Sequence, residues 1–505
     1  MTGSVASWDI TRFRDAIRHS VGLTFDESKT EFLATVLQRR LKHRRSDTED
    51  YLSKLELGTA HDEVDALAQE LTVTETYFFR NREQFNALRE AVLPHCMRRA
   101  RQPRTLRILS AGCASGEEPY SIAIAAREAI SDRSWKVEIE AVDLNPAALE
   151  KAQRGRYSTW SIRGVQADVQ KTWFREEGRD LILDEDVRRS VKFRLANLAS
   201  DDPVLWRPES YDVIFCRNVL MYFGPEQMQK AVLKAARALV PGGFLFLGHA
   251  ETLRGLSDQF HLCHTHETFY YQVKGGPTLS PATAATTATV QAAIPADIST
   301  TLSFSTNWYD EIRKASERIE VLTTSPPPAN NSPASPPPKQ DISPALDLLR
   351  QDRFAEALDY VKSLSGNLAS DRDMRVLEAM LLTQNGDVTA AREVCLDVLK
   401  ADELNPAAHY VLALCHETTG SQTQAAEHYH VAIYLDPSFA MPHLHLGLLA
   451  RRLGDRELAR RELGQALTLL RREDVSRILL FGGGFNREAL STLCESALLG
   501  CGGKL

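Results

Sequence analysis

Apolar positions change their period along the chain. Through about residue 100 they recur at helical spacing, as in Phe32, Val36, Leu37 and Leu41 and again in Tyr51, Leu52 and Leu55, which predicts an N-terminal helical subdomain over residues 1–100. From Thr105 onward, short and nearly continuous apolar runs alternate with helical segments. Thr105–Ser110, Lys136–Val142, Tyr211–Cys216, Gly243–Gly248 and Thr268–Val273 predict strands, and segments such as Tyr120–Ala129 and Gln227–Leu239 predict the helices between them. That alternation predicts an α/β domain over residues 101–274, built on a mostly parallel sheet with helices on both faces.

The pattern lapses between residues 275 and 340. Ser280-Pro-Ala-Thr-Ala-Ala-Thr-Thr, Ser325-Pro-Pro-Pro and Ser335-Pro-Pro-Pro carry too little apolar surface to offset the entropy of ordering. A disordered linker stiffened by proline is expected there, with a transient helix near Trp308 to Leu322. Over residues 341–505 helical spacing returns, now with an internal repeat. Gly386, Gly420 and Gly454, and likewise Ala357, Ala391, Ala425 and Ala459, recur at the 34-residue period of tetratricopeptide repeats. Glycine permits a tight turn between paired helices, and the small alanine lets them approach; Asn405-Pro406 and Asp436-Pro437 close repeats. An unrelated alanine-rich bundle is the competing reading. Either way this all-α half gathers no catalytic groups and is expected to bind a protein or peptide.

Composition narrows the class. The 505 residues carry 60 basic and 67 acidic side chains, a net charge of −7, with 43% apolar and 25% charged positions, so no global field steers the chain to nucleic acid. Eight cysteines are scattered without a C-x-x-C pair, which suits a reducing compartment. The first 30 residues show no apolar signal core, and no uncharged apolar run reaches the ~18 residues of a membrane span, so a cytoplasmic chain without a transmembrane segment is expected. One local charge run stands out at the end of a predicted helix: Arg39, Arg40, Lys42, Arg44 and Arg45. It reads either as a solvated face or as a surface for an acidic partner.

The chemistry begins after the first strand. Ser110-Ala-Gly112-Cys-Ala-Ser-Gly116-Glu117-Glu118-Pro119 leaves that strand and opens a helix, which is where open α/β sheets bind ligands. Two carboxylates at the helix start would repel a pyrophosphate, whereas they suit a cationic group such as the ammonium of a methionyl moiety. Pro119 and acids in a first helical turn also have a purely structural explanation. The second strand ends in Asp143-Leu144-Asn145-Pro146. Asn145 is accounted for as a helix cap, while Asp143 stands where nucleotide-binding folds hold a ribose diol. His261, Cys263, His264 and His266 superficially suggest a metal cluster, but a strand-flanking loop without a second pair of ligands argues for no metal.

These residues belong to a wider set. Leu71-Thr-Val-Thr-Glu-Thr-Tyr-Phe-Phe-Arg80, Gly116-Glu-Glu-Pro-Tyr-Ser, Asp143, Asn197-Leu198 and Phe215-Cys-Arg217-Asn218-Val-Leu-Met-Tyr222-Phe resemble the CheR family of chemotaxis protein-glutamate methyltransferases over residues 7–273. With the appended repeats and the ending Phe481-Gly-Gly-Gly-Phe-Asn-Arg-Glu-Ala-Leu, the chain is most similar to the Wsp-type members of surface sensing and biofilm signalling. The resemblance implies a class I, Rossmann-like S-adenosyl-L-methionine methyltransferase domain with a small β-subdomain near residues 174–193. It also implies cofactor contacts from Thr74, Thr76, Arg80, Glu118, Asp143, Asn197, Leu198, Arg217 and Asn218, with S-adenosyl-L-homocysteine as product. Thr74 stands where well-known members carry asparagine, so one hydroxyl replaces an amide's pair of hydrogen-bonding groups. Arg175-Glu-Glu-Gly-Arg-Asp-Leu-Ile-Leu-Asp is shorter and less glycine-rich than in members that clip a receptor peptide.

The activity so implied is methyl transfer to glutamate side chains of a methyl-accepting chemoreceptor. A glutamate, with a pKa of about 4.3, is already ionised at neutral pH, so no general base is needed and catalysis rests on near-attack geometry. Arg80 would orient the carboxylate and Tyr222 would place a hydroxyl beside the methyl group, while Arg39, Arg40 and Arg44 would meet the acidic methylation segment of the receptor's cytoplasmic coiled coil. Recruitment to a membrane receptor array and a protein partner for the repeats complete the expectation. Two alternatives stay open: a methyltransferase of the same fold with another substrate, and a repeat scaffold whose catalytic half is degenerate. Against methylation of nucleic-acid bases, Phe215-Cys-Arg-Asn replaces an acidic-Pro-Pro-aromatic motif.

Overall fold

The computed structural model describes residues 6–72, 75–99, 104–277, 279, 343–351, 353–364, 372–483 and 485–502. The chain divides into two units, residues 1–302 and 303–505, each taken by itself below. The expected linker beyond residue 279, the expected helix at Trp308 to Leu322 and Thr74 lie outside the described residues.

Four helices open the first unit: α1 (Ser7–Ser20), α2 (Thr30–Arg44), α3 (Thr48–Glu56) and α4 (His61–Leu71). Their apolar stripes turn inward, with Phe13, Ile17, Leu33, Leu37, Leu52 and Leu67 fully buried. Phe32 falls off this stripe, 42% exposed, and its neighbour Leu33 takes the inward position.

Three arginines of the basic run of α2 are paired within the chain. Arg40 is buried, with Nε and Nη2 donating to Glu63 Oε1 and Oε2 at 2.6 and 3.0 Å and Nη1 to Glu70 at 3.3 Å. Arg44 donates to Glu63 and Asp62, both at 2.5 Å, and Arg39 to Glu70 at 2.8 Å. α4 thus supplies carboxylates within the chain to Arg39, Arg40 and Arg44, with Arg40 buried and the Arg39 side chain still 62% exposed. Burial alone would raise the Glu63 carboxyl; bonds from Arg40, Arg44 and Tyr51 outweigh it and hold the group below the ordinary carboxylate range. Lys42 and Arg45 stay exposed at the end of α2.

Two further helices, α5 (Arg82–Ala87) and α6 (Leu93–Arg99), lead into the sheet. It is built from β1 (Thr105–Ala111), α7 (Glu117–Ala129), β2 (Lys136–Asp143) and α8 (Pro146–Arg154), followed by β3 (Arg156–Tyr157) and α9 (Ala167–Trp173). Then come β4 (Phe174–Glu177), β5 (Asp180–Leu183), α10 (Glu185–Arg189), β6 (Val191–Leu195) and β7 (Tyr211–Cys216). The last elements are α11 (Pro225–Ala238), β8 (Leu239–Leu247), β9 (Phe260–Thr265) and β10 (Thr268–Val273). Seven strands make the main sheet in the order β6-β2-β1-β7-β8-β10-β9. The strands from β6 to β8 run parallel, and β10 lies antiparallel to both β8 and β9.

All five expected strands are present, and β6 and β9 are added at the two edges. Their sequences, Val-Lys-Phe-Arg-Leu and Phe-His-Leu-Cys-His-Thr, mix polar and apolar residues because an edge strand is covered less than a central one. His261, Cys263 and His264 sit within β9 rather than on a flanking loop, with His264 stacked on Phe269 at 4.3 Å. β3, β5 and β4 form a separate antiparallel sheet. This is the small β-subdomain, which draws in residues 156–157 and leaves 191–193 to the main sheet. The chain runs from β1 outward through β2 to β6, then returns across β1 to β7, so the strand order reverses beside β1 and opens a crevice at the carboxyl ends of β1 and β7.

In the second unit, helices Arg372–Gln384 and Val388–Ala401, Pro406–Thr418 and Gln422–Leu435, and Ala440–Leu453 and Arg456–Leu470 pack as successive pairs. Ala357, Ala391, Ala425 and Ala459 are all fully buried, as close helix approach requires. Gly386, Gly420 and Gly454 adopt φ of +82°, +79° and +86°, and a Cβ at any of them would meet nothing within 4 Å. Backbone conformation, not crowding, selects glycine there.

Glu417 joins helix Pro406–Thr418 to side chains of the next two helices, Tyr429, His445 and Arg452, and is expected to make the stability of this unit depend on pH. Burial would raise its carboxyl, but bonds from His445, Arg452 and Tyr429 outweigh that and hold it at about 2. A depressed folded value means the stabilisation is present above the ordinary carboxylate pKa and is lost as pH falls toward the folded one. Thermal melting of the full chain between pH 7 and pH 3 is expected to show a repeat-unit transition that weakens below about pH 4.5, with Glu417→Gln flattening that acid limb. An acid limb identical in the variant would remove Glu417 as its source.

Candidate active site

A cleft of about 690 Å³ opens at the crevice where the strand order reverses. Four strand ends wall it: Gly112 and Ala114 after β1, Asp143 and Leu144 at the end of β2, Asn197 and Leu198 after β6, and Asn218, Val219 and Tyr222 after β7. The remaining wall is N-terminal, from Val21, Leu23, Leu71 and Thr72.

Asp143 is fixed before any ligand arrives. Its Oδ2 accepts from Ala114 N at 2.7 Å and its Oδ1 from Asn145 N at 2.8 Å, which leaves further lone pairs on both oxygens. Burial pushes its pKa upward, opposed by those backbone N–H groups. Asn145 caps α8 by accepting from Ala148 N at 3.0 Å and donates through Nδ2 to Thr72 Oγ1 at 2.9 Å.

Asn197 and Tyr222 stitch the N-terminal wall to the sheet. Asn197 Nδ2 donates to Val21 O at 3.1 Å while its Oδ1 accepts from Ala199 N at 2.8 Å. The Tyr222 carbonyl accepts from Thr24 N at 2.9 Å. Asn218 takes the left-handed conformation at φ +58°, a position held by Glu251. The buried Glu251 carboxylate accepts from Asn218 N at 2.7 Å, Gly248 N at 2.8 Å and Met221 N at 3.3 Å. Burial raises its pKa, and these backbone bonds pull the other way. Sequence reasoning missed Glu251; the available signal was a carboxylate just past Gly248, at the carboxyl end of a central strand.

A second polar cluster stands beside the cleft rather than on its walls. Glu118 accepts from Ser110 Oγ at 2.7 Å and from Arg217 Nη1 at 3.2 Å, and Arg217 Nη2 donates to Arg80 O at 2.5 Å and Asn81 Oδ1 at 2.6 Å. Burial draws Glu118 above its ordinary value and Arg217 below its own, with their mutual attraction opposing both. Arg217 Nε is buried without a hydrogen-bond partner among the described residues. His249 lies 3.2 Å from Asn81 Nδ2, and burial together with the charges of Arg217 and Arg80 presses its pKa down to about 4, so it is neutral at pH 7. Arg80 is presented from a loop anchored by Phe78, which is fully buried and packs edge-on to Tyr157 and Phe174 at 4.9 Å each. Phe79 N donates to Ser121 Oγ at 2.9 Å.

Of the residues singled out in the sequence, Asp143, Asn197, Leu198, Asn218 and Tyr222 share the cleft, and Arg80, Glu118 and Arg217 form the adjoining cluster. Thr76 is half-buried and lines no wall of the cleft. Glu117 turns away, buried and hydrogen-bonded to Ser115 Oγ at 2.7 Å. A strand-end carboxylate, apolar walls from Leu144, Leu198 and Val219, and an unfilled guanidinium donor together suit a nucleoside carrying a charged tail.

Comparison with known proteins agrees with that chemistry. The family model described as CheR methyltransferase, SAM binding domain, matches residues 74–269, and the tetratricopeptide repeat model matches residues 345–403 and 377–438. Chemotaxis protein methyltransferase 2 of Vibrio cholerae is 35% identical over 282 residues, covering 54% of this chain and 95% of that protein. The chemotaxis protein methyltransferase of Vibrio parahaemolyticus is 31% identical over 272 residues, 53% of this chain and 96% of that protein. The probable biofilm formation methyltransferase WspC of Pseudomonas aeruginosa is 30% identical over 457 residues, 89% of this chain and 96% of that protein.

Proposed function

The chain belongs to the CheR methyltransferase family, with S-adenosyl-L-methionine as methyl donor, and from that premise we propose that it esterifies glutamate side chains of a methyl-accepting chemoreceptor in Wsp-type signalling. The residues present fit the donor. Asp143 would accept from the ribose hydroxyls, Leu144, Leu198 and Val219 would flank the base, and Arg217 Nε would take up the anionic end of the methionyl group. S-adenosyl-L-methionine supplies a methyl group on a sulfonium, ready for in-line displacement. The chain's own groups then orient and exclude water. Arg80 would hold the attacking carboxylate, Tyr222 would hydrogen-bond beside the methyl, and Glu251 would keep the loop carrying Asn218 and Tyr222 in register.

The observation that carries a carboxylate substrate is Arg80 itself. It stands beside Arg217, and its side chain bonds only the carbonyl of Glu75, at 3.4 Å, among the described residues. An unpaired guanidinium beside the proposed methyl-donor cleft suits a nucleophile that arrives already ionised. The receptor-facing part of α2 contracts to Lys42, Arg45 and the exposed side of Arg39. The repeats would bind a protein partner across the proposed linker, over residues 341–505.

The test is incubation of the full chain with radiolabelled S-adenosyl-L-methionine and candidate receptor fragments. Base-labile label on glutamate is the expected result. A base-stable label would overturn the substrate, and intact donor binding without any transfer would favour a scaffold role.

A further inference from the structure

Residues 158–166, between β3 and α9, dock on the segment that presents Arg80. Phe78 N donates to Ser161 O at 2.8 Å. Gly164 approaches so closely that an added Cβ would stand 3.1 Å from Phe78 O and 3.4 Å from the Tyr77 ring, so a larger residue would make these neighbours give by a few tenths of an ångström. On this dock the Arg163 guanidinium lies 3.8 Å from the Tyr77 ring centroid and 4.2 Å from that of Trp160, and its Nη1 donates to Trp160 O at 2.8 Å. Trp160 is 63% exposed, an uncommon setting for so large an apolar side chain, and its contact here is with Arg163.

Two cation–π contacts and one carbonyl bond fix a guanidinium that is exposed to solvent and pairs with no carboxylate among the described residues. Its remaining donors are held ready, so little side-chain entropy is lost when an anion arrives. Arg163 lines an open groove of about 920 Å³ together with Tyr77, Asn81, Arg82 and Gln166. Arg82 is exposed and likewise unpaired among the described residues, and Glu83 is the one acid on the rim. Asn81 reaches this groove and also holds Arg217, so the groove begins where the polar cluster beside the cleft ends.

We propose that this groove receives the acidic peptide segment adjoining the glutamate to be methylated, with Arg163 as the specificity-determining contact to a carboxylate other than the reacting one. The inference rests on the glutamate-ester reading of the active site and adds the surface that selects among glutamates. A fixed guanidinium is suited to the paired oxygens of a carboxylate, and its charge favours acidic sequence on either side of the target.

The experiment uses the full chain and a receptor cytoplasmic fragment that it methylates, alongside a twin fragment whose acidic residues flanking the target are changed to Asn or Gln. Arg163→Ala is expected to raise KM for the acidic fragment at least fivefold, with kcat at saturation and donor affinity held. The twin should raise KM for the wild-type chain by a similar factor, and the two changes should not add. Arg163→Lys keeps the charge without the planar fork and should fall between. An unchanged KM, additive effects, or weakened S-adenosyl-L-methionine binding in Arg163→Ala would overturn the proposal, the last by making Arg163 a prop for Tyr77. If no receptor fragment gains base-labile label from the wild-type chain, the glutamate-ester reading fails and the groove falls with it; label that is base-labile but indifferent to Arg163 sinks the groove alone.

Discussion

Asp143→Ala is expected to weaken S-adenosyl-L-methionine binding by more than tenfold, a loss above about 1.4 kcal/mol. A hydrogen bond to a charged acceptor contributes on the order of 1.5–3 kcal/mol, and in the proposed site the Asp143 carboxylate would accept from two ribose hydroxyls. The variant also removes the acceptor for Ala114 N and Asn145 N, now bonded at 2.7 and 2.8 Å, so the loop after β1 loses a tether. Asp143→Asn separates the two effects. It keeps the volume but turns an amide N–H₂ toward one of those backbone N–H groups, so the tether weakens while one acceptor remains. Calorimetric titration of folded variants is the measurement. Wild-type affinity in Asp143→Ala would place the ribose elsewhere.

Arg40→Ala is expected to destabilise the first unit by on the order of 3 kcal/mol, more than any single exposed arginine could. Glu63 is 1% exposed, and removal of Arg40 takes away two of its hydrogen bonds and leaves Arg44 and Tyr51 to hold a buried charge. Denaturant unfolding of the variant, followed by a probe in the N-terminal helices, measures the loss, and Arg39→Ala serves as the exposed control. A midpoint matching wild type would mean that Glu63 is hydrated. The result bears on the proposed receptor recognition too, because a charge reversal at Arg40 would slow methylation by unfolding the helices, whatever the receptor does.

Legibility in the sequence followed burial and locality. β7 is buried at all six positions and reads as one apolar run, whereas β6 carries Lys192 and Arg194 on a half-covered edge and reads as nothing in particular. The repeats announced themselves through glycines at positive φ and alanines at zero exposure, requirements met afresh in each repeat. The place of Asp143 at the end of β2 was legible because it follows an apolar strand run and precedes the Asn145-Pro146 helix start. Arg40 was not, since its partner lies on another helix and no local period reports a pairing between helices. Glu251 and the Val21–Leu23 wall were hidden for the same reason: each acts on a strand end distant in sequence, and only the assembled sheet brings them there.

The N-terminal wall of the cleft has one more consequence. Asn197 grips the carbonyl of Val21, Thr24 bonds the carbonyl of Tyr222, and Asn145 holds Thr72, so helices α1 and α4 are tethered at their ends to the loops that wall the proposed donor cleft. Binding on the two sides of such a wall is thermodynamically linked. Whatever factor donor occupancy applies to the grip of these helices on a partner, the partner must return to donor affinity. In the proposed reaction the product, carrying no methyl group, would occupy the same wall, so a partner that distinguishes the two bound forms through these helices would gain, without any separate sensor, a means of leaving after methyl transfer.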